Sequence, residues 1–193
     1  MVTPGQRTIA AADENGPLPA LSAIWQALDT VPDPEIPVVS VVELGIVRSV
    51  EWDAADPAML VVHVTPTYSG CPATDVIMAN VRETLAALGI VRLRLETQLS
   101  PPWTTEWITP AARRKLGEYG IAPPGGAQSA VAGAVRPIDI TGLSPLRRSS
   151  MVVPCPRCAS PRTRLLSQFG STACKAQYRC DDCLEPFDYF KPH

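Results

Sequence analysis

The chain predicts an α+β fold in two parts: a small sheet covered by helices on one face, followed by a separate C-terminal module held by four cysteines. Two observations carry this reading. Apolar residues at helical spacing alternate with β-branched runs over the first 108 residues or so, and five of the six cysteines fall after residue 154. With 193 residues, 46% of them apolar, the chain has enough material for one ordinary domain and a small appendage, and too little for two enzyme domains. A net charge of only −2 argues against a broad polyanion-binding surface. The N-terminal stretch lacks a basic region followed by an apolar run, and nowhere do eighteen uncharged apolar residues occur in succession. The expectation is a cytoplasmic protein with no membrane partner, in which clustered cysteines are metal ligands and not a disulfide framework.

Residues 1–18 are small, polar and proline-bearing, and read as a flexible arm. A domain is expected over 19–120. Its first helix carries Leu21, Ile24, Trp25 and Leu28 on one face, and Pro32 and Pro34 stop its continuation. VVSVVELGIVRSVEWD and MLVVHVTPTY, separated by Asp56 and Pro57, predict a β-hairpin. A second helix after GCPA places Val76, Ile77, Val81, Leu85 and Leu88 on one face and ends at Gly89. In IVRLRLETQL, Val91, Leu93 and Leu95 alternate with Arg92, Arg94 and Glu96, which predicts a strand covered on one side. A short basic helix around AARRKLGEYG, with Trp103 and Trp107 before it, is expected to pack back on this core. Residues 121–149 are rich in Gly, Pro, Ala and Ser and read as a linker. If flexible, it would span on the order of 30 Å and let the last module, 150–193, move.

That module contains Cys155 and Cys158 in CPRC and Cys180 and Cys183 in CDDC, with 21 residues between the pairs. Two residues between paired cysteines bring both thiolates to one metal, and two such turns complete a closed tetrahedral shell of the kind that holds structural zinc. A redox dithiol, an iron site and disulfides are the alternatives. Short strands around TRLLSQFG, AQYRC and PFDYF would carry the turns. Cys174, beside Lys175, reads as an extra free thiol of lowered pKa, a replacement ligand or a packing residue.

A second candidate site centres on Cys71, between a strand and a helix start, with Gly70 before it and Pro72 after it. The helix dipole predicts a lowered thiol pKa there, and Thr65, Thr67, Tyr68 and Ser69 are at hand as hydrogen-bonding groups. The plainer reading is that Cys71 fills space at a buried turn. In DPEIP, Asp33 and Glu35 sit on a stiff turn as extra ligands or a proton acceptor for Cys71, or as solvated turn residues, with Glu43 nearby. His63 and His193 read as non-ligands, and Trp103 and Trp107 as core.

VPDPEIPVVSVVELGIVRSVEW followed by TPTYSGCPATDVI resembles the small SufT-like domain associated with iron–sulfur cluster assembly. Together with the tail FGSTACKAQYRCDDC, the chain resembles the PaaD family, subunits of ring-1,2-phenylacetyl-CoA epoxidase systems. The resemblance implies an accessory role in phenylacetate catabolism, in metal or iron–sulfur maturation of an oxygenase or reductase subunit. It implies Cys71 as a transient metal or cluster ligand, Asp33 and Glu35 as helpers, a second ligand from another subunit, a partner protein or Cys174 swung in on the linker, and zinc in the ribbon. A homodimer is compatible with it. The alternative is a structural or regulatory docking subunit of the same complex. The chain has no Glu-x-x-His pair, dinucleotide fingerprint or ferredoxin spacing, so it reads as neither oxygenase nor reductase and as non-catalytic by itself. Mixed ribbon charges, Arg157, Arg162, Arg164, Lys175 and Arg179 against Asp181, Asp182, Glu185 and Asp188, argue against a nucleic-acid partner. The chain departs from the family at Pro192 and His193, where relatives often carry another cysteine.

Overall fold

A computed structural model describes residues 18–125 and 152–192. The expected N-terminal arm and most of the expected linker lie outside the described residues, as does His193. Helix α1 (Leu21–Leu28) buries Ile24 and Leu28 and partly buries Trp25. The next segment departs from expectation. The VVSVVELGI run is expected to open the hairpin, but residues 37–45 form turns and the strand begins at Val47. Local side-chain bonds compete with the ladder there. Asp33 Oδ1 accepts the amides of Glu35 and Ile36, and Ser40 and Glu43 bond reciprocally, side chain to backbone amide. Val39, Val41, Leu44 and Ile46 are nevertheless buried, so the run supplies core without supplying strand.

Strand β1 (Val47–Trp52) pairs antiparallel with β2 (Leu60–Val64). Helix α2 (Thr74–Ala87) then crosses over to β3 (Leu93–Thr97), which pairs parallel with β2. Helix α2 buries Ile77, Val81 and Leu85, one stripe at helical period. Val76, expected on that stripe, is 47% exposed, because it lies about 100° round the helix from Ile77. A 3₁₀ turn (Thr105–Trp107) leads to α3 (Pro110–Tyr119). The Thr109 hydroxyl accepts the Ala112 amide at the start of α3, Pro110 occupies its first turn and Gly120 ends it at φ 95°. The indole of buried Trp103 donates to the Leu44 carbonyl, 3.0 Å. The Arg48 guanidinium lies 3.4 Å from the centre of the Trp107 ring.

Gly45 fixes the passage from the turns into β1. It has φ +70°, and an added Cβ would lie 2.6 Å from Trp107 Cβ and 2.9 Å from its carbonyl oxygen. Gly45→Ala combines backbone strain with overpacking, each worth about 1–3 kcal/mol. The expected loss in a urea melt is about 3 kcal/mol, and a change below about 1 kcal/mol would contradict this close approach.

The second sheet has the order β4-β7-β6-β5, from β4 (Ile121–Ala122), β5 (Thr163–Ser167), β6 (Lys175–Cys180) and β7 (Pro186–Phe190). The expected linker begins at Ile121, yet Ile121 and Ala122 form β4, parallel to β7. The physical reason lies in β7, whose side chains alternate between two faces. Phe187 and Tyr189 enter a small ribbon core, whereas Phe190 enters the core of the first domain, 5.8 Å from Trp103 between ring centres. The ribbon is thus a module with its own core that is also seated against the domain before it.

Candidate metal centres

The two CxxC turns are built alike. The amide of each leading cysteine donates five residues ahead, Cys155 to the Ser160 carbonyl and Cys180 to that of Glu185, at 2.9 and 3.0 Å. The residue after each pair, Ala159 or Leu184, takes a positive φ, 58° and 64°. All four sulfurs lie within 4.8 Å of one another, with Cys155–Cys183 at 3.7 Å and Cys158–Cys180 at 3.6 Å. A tetrahedral shell with metal–sulfur bonds of about 2.3 Å requires sulfur separations of about 3.8 Å, so this donor set fits such an ion. The Cys183 amide, 3.5 Å from the Cys180 sulfur, helps hold that thiol below its ordinary pKa, and the Asp182 amide also donates to it. Arg162 pairs with Asp182, Arg164 with Asp181 and Lys175 with Asp188, so these cations are engaged within the ribbon.

The second site is a narrow cleft of about 10 Å³, room for about one water-sized body. Asp33, Glu35, Thr67 and Cys71 of the first domain line it together with Cys174 and Phe190 of the ribbon. The structure thus brings Asp33, Glu35 and Cys71 into one place with Cys174, one of the three sources expected for a second ligand. It separates others. Thr65 and Ser69 line a neighbouring groove of about 380 Å³ with Leu99, Pro102 and Trp103, whereas Tyr68 borders both, its carbonyl accepting the Cys71 amide at 3.1 Å and its phenol pushed up by burial and then by the charges of Cys71, Cys174 and Glu35. Glu43 accepts Lys115 Nζ at 2.7 Å and ties α3 to the turn before β1. His63 lies between Glu51 and Glu96 on the first sheet, 3.6 Å from each. Phe190 carried no signal in the sequence beyond apolarity in a short module.

The cleft is less charged than the sequence suggests. Cys71 is expected below the ordinary thiol pKa, but burial pushes it up, and the neighbouring carboxylates of Glu35 and Asp33 add to this. The Ala73 amide acts in the opposite direction without prevailing. Burial also pushes Cys174 up despite Lys175, whose ammonium is engaged with Asp188 at 3.3 Å. Burial raises the Asp33 carboxyl as well, against the two amides that donate to it. Among the described residues, only the four ribbon cysteines bring three or more ligand atoms within 4.8 Å of one another. The cleft therefore holds soft and hard donors side by side without a preassembled shell. Because thiolate is the nucleophile, iodoacetamide should label Cys71 more slowly than free cysteine at pH 7, and its rate should still be climbing with pH where that of free cysteine has levelled off. Both cleft thiols hold their protons more tightly folded than unfolded, so stability should fall as pH rises above the ordinary thiol value of about 8.5. Fast labelling of Cys71 at pH 7 would contradict both statements.

The family described as PaaD zinc beta ribbon domain matches residues 142–191, and that described as Iron-sulfur cluster assembly protein matches residues 21–92. An Escherichia coli protein whose name describes it as a 1,2-phenylacetyl-CoA epoxidase subunit is 46% identical over 173 residues, 90% of this chain and 93% of the relative. The chain belongs to the PaaD family. The first half of this PaaD chain is also similar to an "Fe-S protein maturation auxiliary factor" of Porphyromonas gingivalis, 33% identical over 49% of this chain and 88% of the relative. The crystal structure of a domain of unknown function, DUF59, from Bacillus anthracis matches 50% of this PaaD chain and 90% of its own at 28% identity, with TM-score 0.45. Among the described residues no helix is long and apolar enough to cross a membrane.

Proposed function

We propose that this chain is an accessory protein of a phenylacetyl-CoA epoxidase system that matures a metal or iron–sulfur centre in an oxygenase or reductase subunit. The observation that carries the reading is the cleft in which Cys71 meets Asp33 and Glu35 without a closed ligand shell. A closed shell retains its ion; an open one suits cargo that must be passed on. Cys71 is the ligand for the cargo, and Asp33 and Glu35 supply carboxylate oxygens. To ligate, the Cys71 thiol must lose its proton, and this reading assigns the proton to Asp33, whose carboxyl is raised by burial and lines the same cleft. The ribbon cysteines Cys155, Cys158, Cys180 and Cys183 hold structural zinc, which supplies folding energy and no reaction step.

The test is iron and acid-labile sulfide in protein purified without oxygen, paired with epoxidation in cells. Wild type is expected to acquire both, whereas Cys71→Ser acquires neither, keeps its ribbon metal and abolishes epoxidation while the complex still assembles. Undiminished epoxidation with Cys71→Ser would favour the second reading, a docking role within the complex. For that reading speak Leu165 and Leu166 on edge strand β5, with Phe169 just beyond it, all exposed.

A further inference from the structure

We propose that the Cys71 cleft is a composite two-thiol site for one soft divalent cation, its second thiol, Cys174, being delivered by the ribbon only when the four-cysteine centre is loaded. The proposal rests on the metal-handling reading of the cleft and says what completes that site and what controls it.

Cys174 belongs to the ribbon by sequence and to the first domain by packing. It is 5% exposed and lies in the larger core with Phe190 and Leu44, not in the ribbon core. Its position is set by the ribbon sheet. The Lys191 amide, just past β7, donates to the Cys174 carbonyl at 2.9 Å, and the Thr172 hydroxyl lies 3.0 Å from the Cys174 sulfur. Cys174 immediately precedes β6, and the last residue of β6 is Cys180, a member of the four-cysteine centre. One extended strand therefore joins the two centres over a distance of about 20 Å. It is held on one side by β5 and on the other by β7.

The two sites share no ligand, so their coupling runs through the folding of the ribbon. Without metal at Cys180 the ribbon retains a core of seven buried residues, two of them ligands. Losing the ribbon sheet would withdraw Cys174 and Phe190 together. Cys71 with carboxylates alone is a poor host for a soft cation, whereas two thiols are a good one. Linkage is reciprocal: a cation bound between Cys71 and Cys174 stabilises the seated ribbon and so tightens retention of the ribbon metal.

The experiment uses the full chain carrying one zinc ion, titrated anaerobically with cobalt(II). Thiolate-to-cobalt absorption and residue-resolved protection from iodoacetamide report binding. In wild type, one further cobalt should protect Cys71 and Cys174 together. Cys174→Ala should keep its zinc and weaken cobalt binding by at least about tenfold, since loss of a direct ligand exceeds typical outer-shell effects. In a Cys158→Ser, Cys183→Ser variant, cobalt at the wild-type saturating concentration should leave Cys71 unprotected, and this readout ignores cobalt on the remaining ribbon thiols. Unchanged cobalt affinity in Cys174→Ala, or full protection of Cys71 in the ribbon variant, overturns the composite site but leaves the proposed function standing. A wild-type cleft that takes no cobalt overturns both.

Discussion

Chelating the metal from the ribbon is expected to unfold β5, β6 and β7 while α1, α2 and the first sheet stay folded. The ribbon core comprises Ala122, Val153, Cys155, Ala176, Cys180, Phe187 and Tyr189, so two of its seven buried members are themselves ligands. So small a core cannot offset the ordering entropy of its strands. Metal binding to small zinc modules supplies about 10–16 kcal/mol, which is the dominant favourable contribution at this scale. The first domain has a much larger buried set, running from Ile24 through Val62 and Leu85 to Leu116, and does not depend on the ion. Far-ultraviolet circular dichroism should therefore retain its helical signal after chelation. Tryptophan emission should shift to the red as Trp103 loses its cover of Phe190. Retention of the ribbon strands in metal-free protein, followed by amide exchange, would refute the prediction.

Phe190→Ala should be among the most damaging single substitutions, costing about 3–5 kcal/mol, the range for emptying a large buried aromatic site. Phe190 is 1% exposed and lies on the face of β7 turned toward Trp103. Phe187 and Tyr189 lie on the opposite face, within the ribbon core. The substitution should thus open the seam between the modules without dismantling the four-cysteine centre. The expected signature is a lowered urea midpoint, retained ribbon metal and faster alkylation of Cys174. Phe190→Leu should recover part of the loss, because it refills most of the volume without restoring the ring contact. Unchanged Cys174 labelling in Phe190→Ala would show that the seam is held elsewhere.

Much of the architecture was legible because it is written in local pattern. Ile77, Val81 and Leu85 repeat at helical spacing, and the paired cysteines announce their own turns. The run VVSVVELGI misled because β-branched composition reports burial as readily as strand, and three prolines with Asp33, Ser40 and Glu43 diverted its backbone into turns. Cys71, Asp33 and Glu35 were each legible as turn residues, with their meeting one of two open readings until the family resemblance favoured it, and they line one cleft. The raised Cys71 thiol and Asp33 carboxyl were not legible, since burial depends on what packs over them, and Phe190 and Cys174 arrive from more than a hundred residues beyond Cys71. Likewise Ile121 and Ala122 look like the start of a linker in isolation and become a strand only when β7 is beside them.

The pairing of β4 with β7 also imposes an order in time. Ile121 and Ala122 leave the ribosome well ahead of Asp188 and Tyr189, their partners in that ladder, each pair being 67 residues apart in the chain. At about 5–20 residues per second, the first domain waits several seconds with the Trp103 face bare and Cys71 without its companion. During synthesis the cleft therefore lacks the part of its lining that Cys174 and Phe190 supply. The lining of the cleft is thus completed late, with the emergence of Phe190 at the end of β7.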